Sequence, residues 1–332
     1  MPGTQVQRAR INLNKLMLNT DNKILVVGSI AYDSVETSAG KNSEALGGSA
    51  AYFALSASYF SRPSIIAIVG SDFDKAHLNM FKSRNIDLTG LKIKDGKTFR
   101  WAGKYDPNNL NHRETISTDL NVFEDFMPNL KTEHKTSSIL FLANIQPDLQ
   151  MEVLKQTDTK PNIVAMDSMN IWIQHNKDDL LRLITKVDII FLDESELRQL
   201  TGIHNIVDAS KAITSLGPKV AVIKKGEYGL LMNSVNIDNS FSLFACPALP
   251  IDSVLDPTGA GDSFAGGFMG YLASTGKDLS KICSQDLRKA AIYGTIMGSF
   301  TVQGFSVDRL KLVTDDEIQG RYKDFEKLTT IS

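Results

Sequence analysis

The run Asp256-Pro-Thr-Gly-Ala-Gly-Asp262 has the residue types and spacing to handle an anion. The residues after it, Ser263-Phe-Ala-Gly-Gly-Phe-Met-Gly-Tyr-Leu-Ala273, read as an amphipathic helix of small and aromatic side chains. A glycine-rich entry lets Gly259, Ala260 and Gly261 present bare backbone N–H groups at that helix's N-terminus. The donors there are unpaired and the helix dipole is positive, so phosphate-like oxygens are favoured. Asp262 follows within the first turn. A carboxylate in that place can take a proton from an attacking hydroxyl while the amides hold a transferring phosphoryl group. The plainer reading is a helix cap, with Pro257 in the turn and Thr258 as N-cap. It does not explain why an acid follows two glycines beside three spare donors.

Such a loop needs a scaffold that holds it at an element's end. The apolar run at residues 23–28 predicts a strand buried on both faces. Similar runs at 64–69, 138–142, 162–166, 187–192 and 219–223 predict further strands. Helical patterns at 48–60, 75–84, 148–156, 177–185, 194–201 and 207–216 fall between and after them. The alternation argues for an α/β chain with a largely parallel central sheet and helices on both faces. Right-handed crossovers then put functional loops at the carboxyl ends of the strands. Asn144 and Gln146, and Asp167 and Asn170, follow strands on that edge. Residues 97–119 break the rhythm and predict an inserted β-hairpin around a turn rich in Asp, Pro and Asn. Phe99 and Trp101 share one face of it, and Arg100 points to the other. Residues 33–40 supply a further strand. So small a sheet needs cover, and it is expected to close over a ligand, pair with a second subunit, or both. Arg100 and Arg113 on the hairpin are candidate clamps for an anion, although a surface role is the more usual one.

The 332 residues are 42% hydrophobic and 22% charged with a formal net charge of -2, which excludes a disordered chain and gives no electrostatic footprint for nucleic acid. Uncharged runs at 45–61 and 290–307 are broken by Gly, Ser, Thr or Gln and fit helices or strands of a soluble domain, so no membrane partner is expected. Cys246 and Cys283 form no metal spacing and read as reduced thiols, consistent with a cytoplasmic location. Residues 1–22, basic and without an apolar core, read as an N-terminal extension rather than a targeting segment. Rival enzyme classes fail on particular residues. Gly28-Ser-Ile-Ala-Tyr lacks the dinucleotide cradle, and Gly96-Lys-Thr98 has Leu91 where a phosphate-binding loop needs its first glycine. Gly261-Asp-Ser263-Phe-Ala265 is a near miss of a nucleophile elbow. However, His77, His112, His134, His175 and His204 all precede Ser263, against the order that fold requires.

The motif at 256–262 resembles the carboxyl-terminal signature of the ribokinase-like carbohydrate kinases, the PfkB family. The resemblance extends from about residue 23 to about residue 310. Gly28-Ser-Ile-Ala-Tyr-Asp33 resembles that family's first strand and substrate-facing acid. Leu46-Gly-Gly-Ser-Ala-Ala-Tyr-Phe-Ala54 resembles its di-glycine segment, Val222-Ile-Lys-Lys-Gly-Glu-Tyr-Gly229 its nucleotide-side strand and turn, and the hairpin at 97–119 its lid. The resemblance implies a ribokinase-like domain over 23–320, with lid insertions at 33–40 and 97–119 and a tail at 321–332. It also implies that Asp262 is the base and that Gly259, Ala260 and Gly261 form the anion hole. Asp33, Gly47, Gly48, Tyr52 and Asn144 fall on the acceptor side, and Lys224, Gly226, Gly229 and Thr258 on the nucleotide side. Two positions depart from the family pattern. Tyr52 stands where the family often has Asn. Asp193-Glu-Ser-Glu196 replaces an Asn-x-x-Glu segment that organises magnesium through water, which puts an extra charge beside Glu196. The implied ligands are ATP and magnesium, with a monovalent cation besides, and the implied reaction is phosphorylation of an alcohol group of a small sugar. A nucleoside acceptor is the alternative. A non-catalytic sugar- or nucleotide-binding protein on the same fold is the rival from another class, but it would be expected to lack the base or the anion hole. The lid's open edge predicts a homodimer through it.

Overall fold

In the strand at 23–27, Ile24 and Val26 enter one apolar core while Leu25 and Val27 enter another. That is why the run carries no polar alternation: both faces are covered. The computed structural model describes residues 23–236 and 240–330, so the expected N-terminal extension at 1–22 lies outside the described residues.

The first strand, β1 (Lys23–Val27), is followed by β2 (Ala31–Thr37), β3 (Gly40–Gly47), α1 (Ser49–Ala57), β4 (Arg62–Gly70), α2 (Lys75–Ser83) and β5 (Asp87–Lys94). The hairpin β6 (Phe99–Asp106) and β7 (Asn109–Asp119) comes next, then α3 (Thr132–Lys135), β8 (Ile139–Leu142), α4 (Pro147–Lys155), β9 (Ile163–Asp167), α5 (Asn170–His175) and α6 (Lys177–Ile184). The chain continues through β10 (Ile189–Asp193), α7 (Glu194–Thr201), α8 (Ile206–Thr214), β11 (Val220–Lys224), β12 (Leu230–Val235) and β13 (Phe241–Cys246). It closes with α9 (Ala260–Ser274), α10 (Ser284–Thr301) and α11 (Asp315–Thr329).

Nine strands form one sheet in the order β13-β12-β11-β10-β9-β8-β1-β4-β5. From β5 to β11 neighbouring strands are parallel, and β12 and β13 add an antiparallel edge. Chain order reverses between β1 and β8. The crevice at their carboxyl ends is therefore the place where this architecture binds ligands. A second sheet, β3-β2-β6-β7, is the lid. The hairpin expected at 97–119 is β6 and β7, and the strand expected at 33–40 is β2, shifted toward the N-terminus. Not foreseen were β3, the half-exposed edge strand β5, and the pair β12 and β13. The expected tail at 321–332 is also corrected: α11 runs unbroken through residue 320, nucleated by a capping box between Thr314 and Glu317.

The helix α9 lies against α1 and α10. Gly266 allows the first approach, because a Cβ there would stand 2.3 Å from the Phe53 carbonyl oxygen. Ser56 Oγ donates to the Ser263 carbonyl at 2.6 Å across the same contact. On the sheet side, Phe53 stacks on Phe141 at 4.0 Å between centroids, and Phe191 meets Phe268 edge-on at 5.3 Å. Each such ring contributes roughly 1.5–3 kcal/mol by burial. This packing fixes the start of α9 relative to the start of α1, and so the motif at 256–262 relative to the di-glycine segment.

Candidate active site

Gly259 is the N-cap of α9, with φ 74°, and no side chain caps the helix. The plain helix-cap reading, which needs Thr258 as N-cap, does not hold. A Cβ on Gly259 would come within 2.4 Å of the Tyr52 ring, so both the left-handed backbone and the close ring require glycine. The Ala260 N–H donates to the Pro257 carbonyl at 3.2 Å, which removes one of the three donors expected from sequence. The N–H groups of Gly259 and Gly261 have no partner among the described residues, so the amide cluster is narrower than its sequence suggests.

Asp262 sits in the first turn of α9, and burial, then the Asp167 charge, push its carboxyl up to about 7. Lys224 and Arg113 pull the other way. Asp33, 7% exposed, is also pushed up to about 7, by burial first, then by Asp256 and by Asp262. The two acids thus share one buried, negatively charged site. The Asp33 carboxylate lies over Gly47, where a Cβ would fall 1.9 Å from its Oδ2, and a backbone hydrogen bond from Gly48 steadies its charged form. Asp262 thus brings a carboxylate of raised proton affinity beside the unpaired Gly259 and Gly261 amides in the first turn of α9, with Asp33 close enough to feel its charge.

Lys224 ends β11 and reaches the same place. Its Nζ lies 3.3 Å from the position a Gly261 Cβ would take, and 2.7 Å from Asp167 Oδ2. Burial works against its charge, but Asp167, Glu196 and Asp262 around it hold the ammonium charged. Thr258 donates its N–H to Asp256 at 2.8 Å and its hydroxyl to Tyr105 of the lid at 3.1 Å. Gly226 and Gly229 form the turn after β11, and Asn111 of the lid stands where a Gly226 Cβ would be, 1.9 Å from its Oδ1.

Four expected residues, Asn144, Tyr52, Asp193 and Glu196, have surroundings of another kind. The Asn144 side chain accepts from Trp172 Nε1 at 2.7 Å and lies 3.2 Å from Met169 Sδ, so its amide is engaged within the chain. The Tyr52 hydroxyl is fully buried without a partner among Asp33, Asp256, Tyr105 and Asp262. Asp193 and Glu196 cap α7: Asp193 Oδ1 accepts from the Glu196 N–H and Glu196 Oε2 from the Asp193 N–H, each at 2.7 Å. Burial, then Asp193, push Glu196 up to about 8, so negative charge there is under-compensated. No group of three or more His, Cys, Asp or Glu set to hold a metal occurs among the described residues. Asp193 and Glu196 are the oxygen donors here that would suit a hard divalent cation met through water.

Sequence reasoning undervalued Asp167 and Arg113 and missed Tyr105. Arg113 is exposed on β7, but its charge acts on Asp33, Asp262 and Tyr105 together. Its pairing opposite Tyr105 in the hairpin was a usable signal once Tyr105 was known to turn inward.

The chain resembles known proteins over most of its length. A profile of the pfkB family carbohydrate kinases matches residues 21–311. The cytidine kinase of Thermococcus kodakarensis is 30% identical over 273 residues, covering 80% of this chain and 94% of that protein. The crystal structure of Methanocaldococcus jannaschii nucleoside kinase, an archaeal member of the ribokinase family, superposes with a TM-score of 0.71 at 20% identity, covering 91% of this chain and 98% of that one. Vibrio cholerae fructokinase with fructose, ADP and calcium bound gives 0.71 at 17%, covering 90% and 98%. A double mutant of that fructokinase has been solved with potassium. These likenesses establish the ribokinase-like α/β fold with its largely parallel nine-stranded sheet.

Proposed function

The chain belongs to the pfkB family of carbohydrate kinases, ATP-dependent phosphotransferases acting on hydroxyl groups of small molecules, and from that premise we propose that it phosphorylates a nucleoside. The 30% identity to a cytidine kinase over nearly that protein's whole length carries the choice of acceptor. A small sugar, the acceptor first expected from sequence, is the second reading and is favoured by the likeness to fructokinase.

In this mechanism Asp33, with Gly47 and Gly48 under it, holds the acceptor's neighbouring hydroxyls, which a carboxylate accepts well. Asp262 takes the proton of the hydroxyl that attacks. The free amides of Gly259 and Gly261 and the Lys224 ammonium meet the transferring phosphoryl oxygens. Arg113, carried over the site by the lid, adds a second cation at the moment charge spreads onto those oxygens. Asp193 and Glu196 would hold magnesium through water, and the ion would supply charge neutralisation to the nucleotide phosphates. The lid excludes water, which limits ATP hydrolysis.

For a monovalent cation, the fitting residue is Asp256. It is 1% exposed, and its carboxylate accepts from the N–H groups of Thr258 at 2.8 Å and Ser306 at 3.3 Å and from the Thr258 side chain. Exchange of potassium for tetramethylammonium in the assay tests this, with a loss of turnover expected. The exposed length of β7 supports the homodimer through the lid, to be tested by analytical ultracentrifugation. Two free thiols support work in the cytoplasm, and no helix among the described residues is long and apolar enough to cross a membrane.

The deciding experiment is ADP release with ATP and magnesium over cytidine, uridine, adenosine, inosine, ribose and fructose. A nucleoside should lead every sugar by at least about tenfold in kcat/KM, which is about 1.4 kcal/mol of transition-state preference. A sugar in the lead would overturn the nucleoside reading, and no turnover with any acceptor would overturn the kinase reading.

A further inference from the structure

We propose that Asp167 is a positioning residue for this phosphoryl transfer, holding the Lys224 ammonium against Gly261 so that it meets the phosphoryl group brought to the start of α9. The inference rests on the kinase reading above.

Asp167 and Lys224 are the last residues of β9 and β11, with β10 between them. The lysine must cross the end of β10 to reach its partner, and it does so at 2.7 Å. A strand-end lysine left to itself would extend into solvent, where its rotamer entropy and hydration are kept. Here its side chain is only 19% exposed.

The acid is pinned from several directions. Its Oδ1 accepts from the Ser168 N–H at 2.9 Å, and its Oδ2 takes the ammonium. Its backbone carbonyl accepts from Nε2 of the buried Gln150 at 3.3 Å, and the same amide nitrogen donates to the Ala143 carbonyl at 2.9 Å. Gln150 thus ties the ends of β8 and β9 together behind Asp167. The ammonium so fixed is 3.3 Å from where a Gly261 side chain would begin, beside the unpaired amides. A buried ion pair is a poor device for stability, since desolvation offsets its attraction. One set at the strand ends, facing an anion site, is better explained by what it presents to the ligand.

The pair also sets the charge around Asp262. That carboxylate is faced by Asp167 from β9, Lys224 from β11 and Arg113 from β7, and it interacts with Asp33 on β2 and the Tyr52 hydroxyl on α1. Removing the acid or the base of the pair alters this field in opposite senses. Asp167→Asn takes a like charge away from Asp262 and leaves the cation, so the base loses its proton more readily. Lys224→Met takes the cation away and leaves the acid, so the base holds its proton more tightly.

The test is the pH dependence of kcat with cytidine, ATP and magnesium for the unaltered chain, Asp167→Asn, Lys224→Met and Lys224→Arg. Asp167→Asn should lower kcat by about 10- to 100-fold with KM for ATP and cytidine within about threefold, the pattern of a group acting in the transition state. Its acid limb should move down by about one pH unit, and that of Lys224→Met up by about as much. Lys224→Arg, which keeps a positive charge beside Asp167, should keep at least about tenfold more kcat than Lys224→Met. Melting temperatures within about 4 °C of the unaltered chain show that folding is intact. If Asp167→Asn does not fold, the contrast between Lys224→Met and Lys224→Arg carries the test. Acid limbs that stay in place in both charge-removing variants, or an equal loss in Lys224→Arg and Lys224→Met, would overturn the proposal while the unaltered chain turns over. An inactive unaltered chain would overturn the kinase reading and this inference with it.

Discussion

The two sheets of this molecule are built on opposite terms. In the nine-stranded sheet, β1 has four of five residues buried, and β8 beside it and β9 beyond are buried throughout. In the lid, β7 is exposed over nearly its whole length. Yet charged groups of both sheets meet around Asp262. The large sheet ends in Asp167, Asp193 and Lys224, and the lid brings Asp33, Tyr105 and Arg113. A scaffold held by burial fixes the groups whose positions must not vary. The lid rests on that scaffold through its largely buried strand β2 and through polar contacts, such as Tyr105 on Thr258 and Thr37 Oγ1 on the Leu255 carbonyl at 2.8 Å, and carries Arg113 on its exposed strand β7.

That division can be broken or sharpened by substitution. The largest effect belongs to neither sheet alone but to the residue they serve. Asp262→Asn should lower kcat by about 10³-fold or more, within the range for loss of a general base, with ATP binding by calorimetry little changed. On the scaffold side, Phe141→Ala removes a ring that stacks on Phe53 and meets Phe191. It should cost about 3–5 kcal/mol of stability, read by denaturant melts, with kcat of the folded fraction nearly normal. On the lid side the signature should invert. Arg113→Ala should lower kcat/KM by about tenfold, a charge-assisted contact of about 1.4 kcal/mol, with no measurable change in melting temperature. Tyr105→Phe removes only the hydroxyl that meets Thr258 and should lower kcat by about three- to fivefold, as for one neutral hydrogen bond. A lid variant that unfolded the chain, or a core variant that spared stability and abolished turnover, would erase the distinction.

The same contrast accounts for what the sequence disclosed. Strands such as β1 and β11 are unbroken apolar runs because both faces are buried, so they could be read directly. Edge strands could not: β5 alternates between half-buried and exposed positions without a clean period of two, and β13 leaves Phe241 and Leu243 exposed. The motif at 256–262 was legible because glycine and acid at fixed spacing have few other uses. Asp193-x-x-Glu196 was read from sequence as a metal-side segment alone, and the structure shows that it also makes a capping box. Arg113 and Asp167 were ambiguous for a different reason. Whether a hairpin arginine or a strand-end aspartate reaches a site depends on how sheets and strands are turned relative to one another, which no local pattern records. Thr314-Asp-Asp-Glu317 was a readable helix start, and it shows that the boundary drawn at 320 was avoidable.

The central claim is that Asp262, deprotonated, receives the acceptor's proton beside the open amides of α9. Its proton affinity, pushed up to about 7 by burial and the Asp167 charge, makes the most direct test the dependence of kcat on pH at saturating ATP, magnesium and acceptor. The base works only in its charged form, so kcat should rise about tenfold per pH unit below that value and level off above it. A kcat that stays flat from about pH 5 to about pH 8 would contradict the account.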